Sequence, residues 1–287
     1  MKLRSMLFVP GDSERKFARA ATVGADALIL DLEDAVAPAR KAEARALVAE
    51  QVGRGDARDW QCFVRINPLG SGLAIDDMAA VVKPGLDGLM VPKADSAADI
   101  VRVGEELDRL EAAAGMAAGS VRIVVVATET AAAMFNLGSY TPPHLRLAAL
   151  TWGAEDLAAA IGAMANKDES GEWTFPYQVA RAQCLFAATA AGVLAIDTLF
   201  ADFRDADGLE SDCRRARRDG FSGRIAIHPD QVATINRCFA PSTDEIAEAR
   251  RVVDAFAAQP DAGAIAIDGR MYDIPHLKAA RKTLASA

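Results

Sequence analysis

Residues 121–130 read VRIVVVATET, an apolar run that ends in the carboxylate of Glu129. The run is rich in β-branched residues and lacks polar alternation, which is typical of a strand buried on both faces of a sheet. Similar short runs recur along the whole chain, separated by longer Ala-rich amphipathic stretches. The predicted strands cover 6–9, 27–30, 62–66, 88–91, 121–127, 148–151, 193–196 and 224–227.

Helical patterns lie between these strands. We predict helices over 13–23, 38–52, 96–114 and 176–191, with Ser13 as a cap and with Pro38 and Pro176 in first turns. Eight strand–helix units favour an α/β fold, a closed (β/α)8 TIM barrel. A doubly wound open sheet is the alternative, although no G-x-G-x-x-G follows a strand.

The end of the chain has a different pattern. A long helix is predicted over 243–258, and Asp268-Gly269 between two short apolar runs predicts a two-residue hairpin. Another helix is predicted to start near Pro275. We therefore expect a TIM-barrel catalytic domain over residues 1–240 and a C-terminal helical extension with a small lid over residues 241–287.

Composition restricts the class of protein. The chain has 287 residues, 51% of them hydrophobic, and a formal net charge of −8, which argues against nucleic acid as a partner. The four cysteines are far apart and form no C-x-x-C, as expected for reduced thiols. The early apolar run at 6–9 is too short for a signal peptide, and no apolar stretch reaches about 18 residues. We expect a cytoplasmic protein without a membrane span.

Polar residues gather where the predicted strands end, which is where TIM barrels carry their chemistry. They are Asp31, Glu33, Asp34, Arg65, Asn67, Lys93, Glu129, Trp152, Glu155, Asp156, Asp197, Asp202 and His228. Convergent carboxylates without clustered His or Cys indicate a hard cation, Mg²⁺ or alternatively Mn²⁺. The three histidines lack zinc-ligand spacing, and no G-x-S-x-G supports a serine triad.

Seven motifs occur together and in order: LRSMLFVPG at 3–11, DLEDAV at 31–36, VRIN at 64–67, VPKA at 91–94, ETA at 129–131, GAEDL at 153–157 and IHP at 227–229. In these motifs the chain resembles the citrate lyase β-subunit-like proteins. That family includes malyl-CoA, citramalyl-CoA and related lyases within the wider HpcH/HpaI aldolase group. The resemblance covers nearly the whole chain and implies a TIM barrel with a C-terminal lid, assembled as a homotrimer or hexamer.

The resemblance also implies site residues. Magnesium would be held by Glu129 of E-T-A and Asp156 of G-x-x-D. The catalytic arginine would be Arg65 of V-R-I-N, and the lid aspartate would be Asp273, in a G-x-M-x-D segment at 269–273. The lid would come from a neighbouring subunit. A structural alternative for Asp273 is that it caps the helix near Pro275.

Further residues have supporting roles in this interpretation. Arg15 and Arg19 match the family's basic end of the first helix and would contact coenzyme A, although a solvated helix face is an equal alternative. The backbone N–H groups of Glu155 and Asp156 would hold a substrate carboxylate, because helix N-termini favour anions. Glu33 and Asp34 are expected to act on the metal through bound water.

The sequence therefore predicts a magnesium-dependent carbon–carbon lyase. It would cleave or form a 3-hydroxyacyl-CoA thioester, giving an acyl-CoA and a small 2-keto acid or ketone. Three alternatives stay open: a citrate lyase β subunit acting on an acyl-carrier-protein thioester, an HpcH-type pyruvate aldolase without CoA, and a non-catalytic scaffold. The acyl group, the keto acid and the direction of the reaction are not assigned, because one methyl group changes binding by only about 1–3 kcal/mol.

Overall fold

The computed structural model describes residues 1–55 and 57–286. Within these residues eight parallel strands pair in sequence order, and the last pairs with the first to close a barrel. They are β1 Ser5–Pro10, β2 Ala27–Asp31, β3 Gln61–Arg65, β4 Gly88–Val91, β5 Arg122–Val126, β6 Leu147–Thr151, β7 Leu194–Asp197 and β8 Gly223–Ala226. The predicted TIM barrel is confirmed, and each predicted strand overlaps an observed one.

Helices alternate with the barrel strands along the chain, and the last two helices belong to the C-terminal segment. They are α1 Glu14–Ala20, α2 Lys41–Gly53, α3 Ala74–Val81, α4 Ala97–Ala113, α5 Ala131–Asn136, α6 Ala154–Ile161, α7 Phe175–Ala191, α8 Ala206–Asp219, α9 Val232–Phe239, α10 Thr243–Ala257 and α11 Ile274–Ala285. Short 3-10 turns occupy Pro38–Arg40, Leu69–Ser71, Leu137–Tyr140 and Pro229–Gln231. Ser13 and Ser96 cap α1 and α4, each accepting a backbone N–H through its side chain.

Two predicted helix bounds are wrong. α1 ends at Ala20 rather than continuing to Val23. The β-branched Thr22 and Val23 lose side-chain freedom in a helix, and the Thr22 hydroxyl instead donates to the Arg19 carbonyl at 2.9 Å. The helix predicted from Pro38 begins as a 3-10 turn and becomes α-helical only at Lys41.

The barrel core consists of the alternate side chains that point to its axis. Because side chains alternate along a strand, residues that point to the interior are flanked by residues that point to the helix layer. The buried interior set is Leu3, Met6, Ala27, Ile29, Phe63, Met90, Val124, Val126, Ala149, Ile196 and Ile225. All five residues of β2 and of β6 are buried, as the continuous apolar runs predicted.

The C-terminal segment has its own core. The described chain divides into compact units at Leu3–Asn236 and Arg237–Ala287, so the change of unit comes just before the predicted boundary at residue 240. Antiparallel strands β9 Ala264–Ile267 and β10 Arg270–Asp273 form the predicted hairpin. Both turn residues, Asp268 and Gly269, have positive φ, as a tight two-residue turn requires. The buried residues here are Ala249, Val252, Phe256, Ile265, Leu277 and Ala280.

Among the described residues, the structure contains no helix that is long and apolar enough to cross a membrane.

Candidate active site

A cavity of about 350 Å³ opens at the carboxyl ends of the barrel strands. Its volume lies in the range of small-molecule sites. The floor is apolar, and the polar side chains predicted from the sequence lie around it. The lining includes Phe8, Asp31, Asp34, Arg65, Met90, Val126, Glu129, Thr151, Trp152, Gly153, Glu155, Asp156, Trp173, Thr198, Leu199 and Ile225. The barrel thus brings Arg65, Glu129 and Asp156 to one cavity. This agrees with the prediction, because the carboxyl ends of parallel strands meet at one end of a barrel.

Arg65, the last residue of β3, is fixed by a paired contact with β2. Its Nε and Nη2 donate to the two carboxylate oxygens of Asp31, each at 2.7 Å, and its Nη1 lies 3.0 Å from Glu33 Oε2. Phe8 lies under the guanidinium at 4.5 Å. Burial alone would lower the pKa of Arg65, but the carboxylates of Asp31, Glu33 and Glu129 outweigh it and raise that pKa. Arg65 is therefore a permanent, oriented cation in the cavity wall.

Glu129 follows β5 and is only 5% exposed. Burial, with the charges of Asp156 and Glu33 added, raises the pKa of Glu129 to about 8. The carboxylate lies against the backbone of Gly153, where a Cβ would come within 2.7 Å of Glu129 Cγ and 2.9 Å of Oε1. Only glycine leaves room for this side chain, so the G-A-E-D turn and the E-T-A turn are built against each other.

Lys93 connects the acidic groups. Its backbone N–H donates to Glu129 Oε2 at 2.6 Å, and its Nζ lies 2.6 Å from Glu33, 3.1 Å from Asp156 and 3.3 Å from Asp34. The residue has a φ of +51°, which costs energy for a side chain other than glycine. Burial opposes the charge of Lys93, but Glu33 and the other carboxylates raise its pKa. The site thus concentrates negative charge around one ammonium group.

The N-terminus of α6 forms another wall. Gly153 caps this helix, and Glu155 and Asp156 occupy its first turn, where backbone N–H groups have no partner inside the helix. Trp152, just before the cap, donates its indole N–H to Asp197 at 2.6 Å and packs edge-on against Trp173 at 5.1 Å. Trp173 also lines the cavity.

These residues fit a divalent metal. A buried Glu129 beside Asp156 is an arrangement that a cation would stabilise, and both carboxylates face the cavity. Among the described residues, no group of three or more His, Cys, Asp or Glu side chains is arranged to hold a metal. Magnesium needs no such group, since it often takes one or two protein carboxylates and completes its shell with water and substrate.

A second cavity, of about 370 Å³, lies beside the first and shares Phe8, Pro10 and Ile227 with it. Arg15, Lys16 and Arg19 of α1 line it together with residues 227–229. Arg19 forms an exposed ion pair with Asp230 at 3.4 Å. In the part of the chain that the structure describes, the Arg15 guanidinium makes no ion pair. The two arginines predicted to contact CoA therefore share a basic pocket next to the carboxylate site.

Asp273 lies in the C-terminal unit, where it caps α11. Its side chain accepts the backbone N–H of His276 and contacts the His276 Nδ1 at 2.5 Å. The hydrogen bond with His276 lowers the pKa of this exposed carboxyl, so Asp273 is ionised at neutral pH. The structural alternative for Asp273 is thus observed, while its catalytic role stays a prediction.

Sequence reasoning placed Asp31 and Lys93 at strand ends but gave neither a role. Both prove central, since Asp31 orients Arg65 and Lys93 contacts three acidic side chains. Their positions could have indicated a role, because Asp31 belongs to the motif at 31–36 and Lys93 to the motif at 91–94. Thr151, on the cavity floor, was noted only as the end of a strand.

Comparison with known proteins adds to this geometry. A model of the HpcH/HpaI aldolase/citrate lyase family matches residues 4–229. The chain is 34% identical over 286 residues to a (3S)-malyl-CoA thioesterase of Cereibacter sphaeroides strain ATCC 17025, covering 99% of this chain and 94% of that protein. It is also 34% identical to the citrate lyase subunit beta of Escherichia coli K12, covering 99% of this chain and 93% of that protein.

A solved structure has the same architecture. The protein CitE of Mycobacterium tuberculosis, crystallised with magnesium, acetoacetate and coenzyme A, superposes with a TM-score of 0.77 at 33% identity, covering 99% of this chain and 97% of that one. The family motifs quoted above, their convergence on one cavity and the extent of these matches agree. The chain belongs to the HpcH/HpaI aldolase/citrate lyase family of enzymes.

Proposed function

We propose that this enzyme is a magnesium-dependent carbon–carbon lyase acting on a 3-hydroxyacyl-CoA thioester such as malyl-CoA or citramalyl-CoA. The observation that carries the proposal is the buried Glu129 carboxylate beside Asp156, facing a cavity that the fixed cation of Arg65 also lines. The products would be an acyl-CoA and a small 2-keto acid or ketone.

The relatives support each part of this proposal. One acts on malyl-CoA by name, another is a citrate lyase subunit, and CitE was crystallised with magnesium and coenzyme A. Glu129 and Asp156 would hold the magnesium, with manganese as a substitute. A bound ion supplies Lewis-acid stabilisation of the oxygen that becomes a carbonyl.

The protein's own groups carry the rest of the chemistry. In the cleavage direction the 3-hydroxyl would give its proton to water in the cavity, and its oxygen would become the carbonyl oxygen as the bond between carbon 3 and the alpha carbon breaks. The electron pair of that bond would move onto the alpha carbon and the thioester oxygen, and the alpha carbon would then take up a proton to give the acyl-CoA. Arg65 faces that oxygen, and Asp31 keeps its planar fork in place while negative charge grows. The N–H groups of Glu155 and Asp156 hold the substrate carboxylate.

The acidic residues near Lys93 have a supporting role in this proposal. Glu33 is 3% exposed and Asp34 is 60% exposed on the same loop, and both contact the Lys93 ammonium. From there they would order water bound to the metal. The ammonium would keep this acidic cluster from repelling an anionic substrate, because it offsets part of the cluster's charge.

The thioester arm would enter through the second cavity. Coenzyme A carries several phosphate charges, and Arg15, Lys16 and Arg19 offer cations where the two cavities adjoin. This local basic pocket allows an anionic ligand to bind even though the chain has a net charge of −8.

Asp273 would exchange a proton with the alpha carbon. An ionised carboxylate is the correct state for removing this proton in the synthetic direction. It lies at the end of a hairpin in the C-terminal segment, and such a segment could act as a lid, as mobile loops do in many enzymes. We further propose that the enzyme is a homo-oligomer, a trimer or hexamer, in which one subunit supplies Asp273 to another.

A second candidate function is a thioesterase, because one relative is a (3S)-malyl-CoA thioesterase. A citrate lyase subunit acting on a carrier-protein thioester is a third, because another relative has that name. A pyruvate aldolase without CoA is the least favoured, since the basic second cavity would then have no ligand.

The products separate these functions. The protein is incubated with malyl-, citramalyl- and 3-hydroxy-3-methylglutaryl-CoA, with and without Mg²⁺, and acyl-CoA, keto acid and free thiol are measured. A lyase yields acyl-CoA and keto product in equal amounts with no free thiol. Free thiol without keto acid would identify a thioesterase. Activity on an acyl-carrier-protein thioester or on pyruvate with an aldehyde, but on none of the CoA esters, would contradict the proposal.

A further inference from the structure

Thr151, the last residue of β6, points into the barrel. Ala149, two positions earlier, belongs to the interior core, and side chains two apart on a strand share a face. Thr151 is only 2% exposed and lines the cavity that also holds Arg65, Glu129 and Asp156. Its Cα pairs in register with Val126 on β5 and Ile196 on β7, so its side chain lies at the cavity floor.

The Thr151 hydroxyl has no hydrogen-bond partner among the residues that the structure describes. Met90, Val126 and Ile225 line the same cavity, and their side chains offer no strong hydrogen-bond partner. Thr128, on the adjacent turn, differs, because its hydroxyl accepts the Gly153 N–H at 3.2 Å. A buried hydroxyl without a partner destabilises a fold, whereas valine has the same shape and no such cost. A buried, unpartnered hydroxyl that lines a cavity therefore points to a ligand.

The position of Thr151 in the chain indicates which part of the ligand it meets. Two residues later, Gly153 begins α6, whose first-turn N–H groups lack partners within the helix. The hydroxyl and this helix N-terminus thus border the same cavity from a single strand–helix connection. Both are hydrogen-bond donors, and both suit an anionic oxygen.

We propose that Thr151 is a substrate-binding residue whose hydroxyl donates a hydrogen bond to the carboxylate of the 2-keto-acid fragment. The inference rests on the proposed lyase function and adds a selectivity element to it. The Thr151 hydroxyl would donate to the keto-acid carboxylate from β6, while the start of α6 supplies backbone donors from the same strand–helix connection. Thr151 would thereby select substrates whose cleaved fragment is a short 2-keto acid over fragments that lack the carboxylate.

The test compares Thr151→Val, which removes the hydroxyl, with Thr151→Ser, which keeps it. For Thr151→Val we expect kcat/KM on the best CoA thioester to fall about tenfold to a hundredfold, as for a lost hydrogen bond to a charged group. Thr151→Ser should stay within about threefold of the wild type. The Tm of the ligand-free protein should be unchanged or higher in Thr151→Val, because an unpaired polar group is removed.

Calorimetric binding of glyoxylate and pyruvate, each with Mg²⁺, separates this inference from the proposed function. Weaker binding to Thr151→Val, with binding to Thr151→Ser retained, supports the hydroxyl's role even if no thioester is cleaved. Equal binding and equal kcat/KM in Thr151→Val and wild type would overturn it. Failure of the wild type to bind either keto acid would overturn it as well. A fall in both activity and Tm in Thr151→Val would assign Thr151 a packing role instead.

Discussion

Arg65 acts through its shape as much as through its charge. Two of its nitrogen atoms donate hydrogen bonds to Asp31, which is fully buried. The third nitrogen atom lies beside Glu33 in the cavity wall. A planar fork can hold one carboxylate with two parallel bonds and still present another edge to a ligand. A lysine ammonium has a single nitrogen atom and cannot do both.

The first prediction concerns this fork. Arg65→Lys should lower kcat on the CoA thioester about 10²–10³-fold, as for the loss of one oriented donor to an oxyanion. The far-ultraviolet circular dichroism should be unchanged. Steady-state kinetics give the answer, with Arg40→Lys as a control because Arg40 pairs at the surface with Asp12 and Glu43. Near-normal turnover in Arg65→Lys would exclude a role at the thioester oxygen.

At the scale of elements, the site depends on how tightly two βα turns approach each other. The turn after β5 carries Glu129, and the turn after β6 presents the bare backbone of Gly153 to it. Because Gly153 has no side chain, the Glu129 carboxylate can lie directly against the backbone of the second turn. The beginning of α6 then brings Asp156 to the same place.

Gly153→Ala tests this contact. The added methyl would lie 2.7 Å from Glu129 Cγ, so the carboxylate must move, and we expect divalent-metal affinity to fall at least tenfold. The control is Gly138→Ala, where a Cβ meets nothing within 4 Å and φ is not positive. Titration of wild type and both variants with a divalent metal measures the change in affinity. Equal metal affinity in Gly153→Ala and wild type would show that the close contact is unimportant.

A different contact between elements joins α4 to the start of β5 and β6. The carboxylate of Glu111 is buried, and it accepts two bonds of 2.6 Å from Arg146 and the N–H groups of Val121 and Gly119. Burial alone would raise the pKa of Glu111, but these donors outweigh it and lower the pKa to about 2. The stabilisation is complete above the ordinary value of 4.5 and is lost as pH falls towards 2.

We therefore predict that this carboxylate accounts for about 3 kcal/mol of the unfolding free energy lost between pH 4.5 and 2. Urea unfolding at pH 7, 4.5, 3 and 2 measures it. Glu111→Gln should be less stable than wild type at pH 7 and lose less stability on acidification. Glu105→Gln, at an exposed position of the same helix, should behave as wild type. An identical acid loss in Glu111→Gln and wild type would contradict the assignment.

The strand pattern and the strand-end residues were predictable, because burial on both faces and parallel order leave a strong pattern in the sequence. The partners of those residues were not. Asp31 and Arg65 are 34 positions apart, and Lys93 and Glu129 are 36 positions apart. Their pairing depends on barrel register and on a positive φ at Lys93. No local pattern specifies either feature. The sequence likewise does not show that the Thr151 hydroxyl lacks a hydrogen-bond partner among the described residues, because this depends on which side chains surround it in the fold.

At the scale of the whole molecule, the barrel unit holds the cavity and the C-terminal unit holds Asp273. Each unit has its own apolar core. If Asp273 acts on the cavity of another subunit, activity belongs to the assembly rather than to one chain.

Subunit mixing tests delivery between subunits. Asp273→Asn and Glu129→Ala proteins, each expected to be inactive, are combined under conditions in which subunits exchange. Activity should return, because some sites then contain both intact residues. Exchange is verified by mass spectrometry of isotope-labelled subunits. No recovery despite exchange would exclude delivery in trans, and full turnover by Asp273→Asn alone would exclude the catalytic role.

The most direct test of the central claim is the stoichiometry of bound Mn²⁺, counted by electron paramagnetic resonance in wild type, Glu129→Gln and Asp156→Asn. The claim is that these two carboxylates hold the catalytic divalent ion. It predicts one Mn²⁺ per wild-type chain, displaced by Mg²⁺, and affinity reduced at least a hundredfold in each variant while the fold persists. Wild-type affinity in either variant, or no Mn²⁺ bound to the wild type, would contradict it.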